Sequence, residues 1–212
     1  AGVAGAVGAA GATGLTGATG ATGASGIASS IKSLTDALVE DDSIYIGNDP
    51  SLSTDTAQYN LAVGTTALDA VTTGDFNVAL GYDALTSNTS GRYNTATGYR
   101  VLQSNTTGNY NTASGTEALF SNNEGNENTA SGYQALYKNT MGTGNTASGN
   151  RALYNNTTGN YNNASGDFTL YTNNEGNNNT ASGYEALFSN ITGSNNTASG
   201  IQALFSNNEG NE

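Results

Sequence analysis

The sequence predicts a fibrous, all-β-dominated protein in three parts: a triple helix over 1–26, a short trimeric coiled coil over 27–42, and a parallel β-solenoid of ten 17-residue coils over 43–212. Three observations predict it. Glycine stands at every third position from Gly2 to Gly26. Ile27, Ile31, Leu34 and Leu38 follow at spacings of four, three and four residues. Gly47, Gly64, Gly81, Gly98, Gly115, Gly132, Gly149, Gly166, Gly183 and Gly200 then recur every 17 residues without a slip.

Glycine at every third position is what a collagen-like triple helix demands, because three chains wind about an axis with room for hydrogen alone. A flexible linker has no reason to hold that period over nine glycines. The other positions carry Ala, Val, Thr, Leu and Ser and no proline, so the triple helix is intrinsically weak. A folded trimer beside it, or sugars on Thr13, Thr16, Thr19 and Thr22 in the third column of the triplet, would support it. In this the stretch resembles the threonine-rich collagen-like stalks of bacterial spore-surface glycoproteins.

The spacing of Ile27, Ile31, Leu34 and Leu38 matches the d, a, d, a positions of a heptad, and predicts a helical neck. Ile at an a position favours more than two strands, and the triplet glycines before it favour three. An amphipathic helix lying on a neighbouring surface is the alternative.

From Ser43 each copy follows the pattern Asn-Thr-Ala-Ser-Gly-x-x-Ala-Leu-aromatic-x-Asn-x-x-Gly-x-x, as in Asn128 to Gly144, NTASGYQALYKNTMGTG. A repeat that never gains or loses a residue fits a solenoid, in which each coil stacks on the last at constant pitch. Two alternating stretches per copy, Asn-Thr-Ala-Ser-Gly and Tyr-x-Ala-Leu-Tyr, predict two strands separated by turns. At a strand spacing of about 4.8 Å, ten coils make a rod of roughly 48 Å.

The core of such a coil is thin. It holds one leucine column (Leu68, Leu85, Leu102, Leu119, Leu136, Leu153, Leu170, Leu187, Leu204) and two alanine columns. A buried leucine is worth about 1.5–3 kcal/mol, whereas ordering each residue costs about 1–2 kcal/mol. Coils must therefore stack, and three chains together would bury one more face. The aromatic column Phe120, Tyr137, Tyr154, Tyr171, Phe188 and Phe205 reads first as packing, in the stack or at a chain–chain seam, and second as a carbohydrate platform. The asparagine columns, among them Asn94, Asn111 and Asn128 at the first position and Asn105, Asn122 and Asn139 at the twelfth, read as turn caps and coil-to-coil hydrogen bonds.

Composition excludes most chemistries. With no histidine and no cysteine there is no Ser-His-Asp or Cys-His nucleophile and no ordinary zinc site. A net charge of −12 and five scattered basic residues (Lys32, Arg92, Arg100, Lys138, Arg151) argue against nucleic acid as a partner. No run approaches the roughly 20 apolar residues that span a bilayer, so no membrane insertion is expected of this segment. Starting inside one repeat array and ending on a complete copy of another, the chain reads as a segment of something longer.

The early copies Ser43-Ile-Tyr-Ile-Gly, Asn60-Leu-Ala-Val-Gly and Asn77-Val-Ala-Leu-Gly resemble the Ser-Val-Ala-Ile-Gly motif of the YadA-like head of trimeric autotransporter adhesins. The resemblance covers 43–212 and implies a trimeric, left-handed parallel β-roll. That family's repeat is usually shorter, and its head precedes its stalk. The order seen here, stalk then neck then rod, is similar instead to bacterial collagen-like surface fibres and phage tail-fibre proteins, and NTASGYQAL-type repeats resemble those of tail-fibre-domain proteins.

Along the array the second and fourth positions change from Leu61, Val63, Val78 and Leu80 to Thr95, Thr97, Thr129, Ser131, Thr180 and Ser182. Alternation puts both positions on one face, which either lines a trimer axis or meets solvent. A hydroxyl ladder resembles the ice-binding face of some solenoid antifreeze proteins, but serine at the fourth position breaks up the threonine pairs. Glu124, Glu127, Glu175, Glu209 and Glu212 lie among amide oxygens in Asn/Gly-rich loops, as calcium would require. Their spacing matches no known calcium loop, so solvated turns are the simpler reading, and their recurrence on the repeat argues against a glycosidase pair.

The reading is a non-catalytic, extracellular homotrimeric fibre on a cell surface or virion, adhesive toward glycans. A tail-fibre segment that binds a host receptor, an inert filament scaffold and an ice-binding rod are the alternatives.

Overall fold

The computed structural model describes residues 37–40, 42–47 and 56–211. The triplet-glycine stretch with Thr13, Thr16, Thr19 and Thr22, the neck residues Ile27, Ile31 and Leu34, and Glu212 lie outside the described residues. The strands are β1 (Ala37–Glu40), β2 (Ser43–Ile46), β3 (Leu61–Val63), β4 (Val78–Leu80), β5 (Thr95–Thr97), β6 (Thr112–Ser114), β7 (Thr129–Ser131), β8 (Thr146–Ser148), β9 (Asn163–Ser165), β10 (Thr180–Ser182) and β11 (Thr197–Ser199). They form one 11-stranded sheet in chain order. From β2 to β11 all pairings are parallel and advance by 17 residues, for example Thr129↔Thr146, so the chain is an all-β solenoid of about nine turns.

The predicted neck is corrected at its C-terminal end. Leu38 belongs to β1, which pairs antiparallel with β2 through Leu38↔Tyr45 and Val39↔Ile44, and among the described residues there is no helix. Asp42, at φ 59°, makes the tight reversal, and Leu38 packs against the core beside the buried Tyr45. An antiparallel strand occupies the edge of β2, whose backbone donors and acceptors would otherwise be open. The apolar residues that read as heptad positions thus end in a hairpin.

A second correction concerns the number of strands per coil. Only positions two to four are extended; Tyr-x-Ala-Leu-Tyr runs as successive turns. The physical reason lies in the core. Ala135 and Leu136 are both 0% exposed, although an extended strand would send consecutive side chains to opposite faces. The chain bends instead, with Gln134 at φ 54° and Leu136 at φ 53°, and the same left-handed pair recurs in the other coils. A non-glycine residue there costs about 1–2 kcal/mol, comparable to the about 1.5–3 kcal/mol from burying the leucine it turns inward. Backbone bonds still link the bends coil to coil, from Leu136 N–H to the Ala152 carbonyl at 3.0 Å and from Arg151 N–H to the Tyr133 carbonyl at 2.8 Å.

At the fifth position glycine is required twice over. Gly132 sits at φ 131°, and a Cβ there would lie 2.5 Å from the Gly149 carbonyl oxygen of the next coil. The 17-residue progression is therefore a column of backbone-to-backbone contacts. A second glycine column, at position fifteen, is wedged between asparagine side chains: a Cβ on Gly142 would meet the Gly159 carbonyl oxygen at 2.5 Å and Asn156 Nδ2 at 2.7 Å.

Beside the leucine and alanine columns the interior holds two buried asparagine ladders, as the sequence suggests. In the first column Asn111 Oδ1 accepts from the Asn128 backbone N–H at 3.0 Å, while Asn128 Nδ2 donates to the Gly142 carbonyl at 2.7 Å within its own coil. In the twelfth, Asn139 Nδ2 donates to Asn122 Oδ1 at 2.8 Å and to the Gly142 carbonyl at 3.0 Å. Polar groups that would cost about 1–3 kcal/mol if left unsatisfied are thus paired at every level. Thr169, buried where most coils have alanine, obeys the same rule by donating to the Gly183 carbonyl at 2.6 Å.

Candidate functional site

Among the described residues no cavity opens into the rod, and its long sides are the surface it presents. The strand side carries positions two and four. From β6 to β11 both positions are exposed and hold Thr and Ser (Asn163 in β9), with a buried alanine between them. The described chain therefore presents an outward face of hydroxyls in register, rising one strand at a time. On β2 to β4 the same face is aliphatic.

A second side is built by the bend. Phe120, Tyr137, Tyr154, Tyr171, Phe188 and Phe205 stack with centroids 5.0–5.2 Å apart and planes within 3–10° of parallel. Burial in this stack raises the Tyr137 and Tyr154 phenols above their ordinary value, and the Glu117 carboxylate adds to the shift at Tyr137. Tyr133 and Phe168 flank the stack. The Arg151 guanidinium lies 5.7 Å from the Tyr133 centroid and 5.6 Å from that of Tyr154, and Phe168 lies 5.8 Å from Tyr171. Tyr184 beside Phe168 also has a raised phenol pKa, through its hydrogen bond to Glu185 and that carboxylate's charge.

Coil-to-coil polar pairs run through the seventh position on this side. Arg100 pairs with Asp83 at 3.5 Å, Gln134 donates to Glu117 at 2.8 Å, Arg151 donates to Gln134 at 2.9 Å and Gln202 donates to Glu185 at 2.8 Å. Arg92 pairs with Asp75 at 3.3 Å on the next side. Four of the five basic residues are described, and each contacts an acidic, amide or aromatic neighbour instead of joining a basic strip.

The third side holds a feature that the consensus conceals. Tyr59, Phe76, Tyr93 and Tyr110 occupy the seventeenth position of successive coils and stack at 4.8–4.9 Å. The signal stood in the sequence at the repeat spacing, but Glu127, Gly144, Asn178 and Asn195 dilute it in later copies. These rings turn outward, Tyr110 being 58% exposed, and Tyr161 further along the same column is 62% exposed. Inside either stack a ring's faces are taken by its neighbours, leaving edges and hydroxyls to the surroundings, whereas Tyr110 ends its stack, with Glu127 next in the column.

The acidic loop residues are spread out. Glu124 and Glu175 share one column three coils apart, with Met141 and Thr158 between them, and Glu127 lies three positions beyond Glu124; all three are exposed, as is Glu209. Among the described residues no three acidic side chains gather into a group that could hold a metal ion. Nor, among them, is any helix long and apolar enough to cross a membrane. No family model matches this sequence, and comparison with curated proteins and with solved structures gives no match.

Proposed function

We propose that this chain forms the rod of an extracellular homotrimeric fibre, on a cell surface or virion, that projects and adheres without catalysis. The observation that carries the reading is the repetition of one outward face over successive parallel strands. A surface repeated at the coil spacing suits weak, multivalent attachment to an equally repetitive partner such as a surface glycan, where many small contacts add to useful avidity. Tyr110 and Tyr161, the most exposed tyrosines of the seventeenth column, are the rings best placed to stack on a sugar.

Three chains are favoured by the triplet glycines, whose period suits a triple helix, and by the thin core of each coil. The Ser-Ile-Tyr-Ile-Gly and Asn-Leu-Ala-Val-Gly copies keep the likeness to YadA-like heads, and the β-solenoid is compatible with their β-roll. The order of segments, triplets before rod, favours a tail-fibre-like arrangement with the rod distal as the second reading.

Binding of the full chain to a panel of glycans tests the adhesive role. Binding is expected with micromolar or weaker affinity per chain, reduced at least about fivefold in Tyr110→Ala/Tyr161→Ala. A rod that retains none of the panel is an inert scaffold.

A further inference from the structure

From β4 onward columns one, three, five, nine, twelve and fifteen do not vary, because each coil needs the same leucine, alanine, glycine and asparagine contacts with the coils above and below it; before β4, Ser43, Tyr45, Ala57 and Val71 fill the same interior with other side chains. The outward strand positions behave differently. They hold Ile44, Ile46, Leu61, Val63, Val78 and Leu80 on β2 to β4, then Thr95 and Thr97 on β5, and Thr and Ser with one Asn beyond. Nothing in the coil's own packing demands this switch. Alanine fills the inward position of β3, β4 and β5 alike, and the strand geometry is unchanged.

The aliphatic stretch is contiguous. Parallel register sets Ile44 beside Leu61 and Leu61 beside Val78, and likewise Ile46 beside Val63 and Val63 beside Leu80. None of the six is buried, and Val63 is 38% exposed. The other five are partly exposed, although chains in water rarely leave contiguous aliphatic surface uncovered.

We propose that this face of β2–β4 is the seam between chains, occupied by the same three strands of two further copies. The proposal rests on the three-chain reading above. Three facts choose a second and third copy as the occupant. The patch lies in the coils that follow the triplet-glycine stretch first in the sequence, and on the three-chain reading a triple helix there would set three chains parallel and level, so that equivalent coils meet at the same height. The six positions carry no charge, which lets chains of net charge −12 approach there, and three identical aliphatic faces can converge on a three-fold axis because apolar burial is non-directional. Beyond β5 the hydroxyl face has no such need of a partner, so the seam ends where threonine begins.

The test uses the absence of cysteine from the chain. Val63→Cys, Thr146→Cys and Tyr137→Cys are made singly in the full chain, oxidised, and run denatured, with the native mass measured on each. The seam predicts disulfide-linked pairs in most Val63→Cys trimers and few in Tyr137→Cys, with Thr146→Cys between them or below. A trimeric mass with no Val63→Cys pairs, or with Tyr137→Cys linked as readily, overturns the seam and leaves three chains standing. A single-chain mass for the unsubstituted protein overturns both. As a second probe, Leu61→Thr/Val63→Thr/Val78→Thr/Leu80→Thr copies the threonines that β5 already carries and should keep the coil; trimers should then dissociate at a protein concentration at least ~10-fold higher. An unchanged dissociation concentration counts against the seam.

Discussion

The first three parallel strands and the last six are built on one coil but meet their surroundings differently. On β2 to β4 the outward strand face is aliphatic and the aromatic stack runs through Tyr59, Phe76 and Tyr93 at the seventeenth position. On β6 to β11 the strand face is dominated by hydroxyls and the aromatics have moved to the tenth position, from Phe120 to Phe205. The interior is largely the same in both regions, with Ser43, Tyr45, Ala57 and Val71 in the first coils where later coils bury Asn, Ala, Gly and Asn. Columns that stay constant are requirements of the coil; columns that change report what lies outside it.

Perturbing a constant column should therefore weaken either region alike, and the largest effect belongs to glycine. Gly132→Ala combines strain of about 1–3 kcal/mol at a positive φ with overpacking of about 1–3 kcal/mol against Gly149, and should lower the chemical-denaturation midpoint more than any other single change considered. Gly81→Ala, in the aliphatic region, should cost a similar amount; a much smaller loss there would break the equivalence of the two interiors.

Leu136→Ala should follow, at about 2–5 kcal/mol, since the side chain is fully buried and neighbouring coils can close the gap only in part. Asn122→Ala should cost about 1–3 kcal/mol by removing the donor to Asn105 Oδ1 and the acceptor for Asn139, read from the same melts.

A variable column should act locally. Tyr154→Leu in the tenth-position stack should cost about 0.5–1.5 kcal/mol beyond lost area. The same stack sets a pH dependence. The Tyr137 and Tyr154 phenols are raised in the folded chain, so it holds their protons more tightly than the unfolded chain does. Their contribution is fully present below the unfolded phenol pKa near 10 and is lost as pH rises through the folded value. Tyr137→Phe/Tyr154→Phe should flatten that alkaline slope; an unchanged slope would mean that other tyrosines carry it. Smallest of all, a chelator should leave the melting temperature of the full chain unshifted, and a clear drop would revive calcium at Glu124 or Glu175.

The sequence made the repeat, its register and its asparagine ladders legible because each of these is periodic. It misread the second stretch of each coil because Tyr-x-Ala-Leu-Tyr alternates like a strand, whereas Ala135 and Leu136 must both face inward and only a left-handed bend allows that. It misread Leu38 because four apolar spacings also suit a helix, and nothing local announces that β2 needs an edge partner. The stack from Tyr59 to Tyr110 escaped notice because a consensus averages away a column that exists in only some coils.

Sedimentation equilibrium of the full chain tests the account's central claim most directly. Three chains built together predict a mass three times 21.3 kDa, persisting on dilution into the micromolar range. A mass of one chain, with the solenoid intact by circular dichroism, would contradict it.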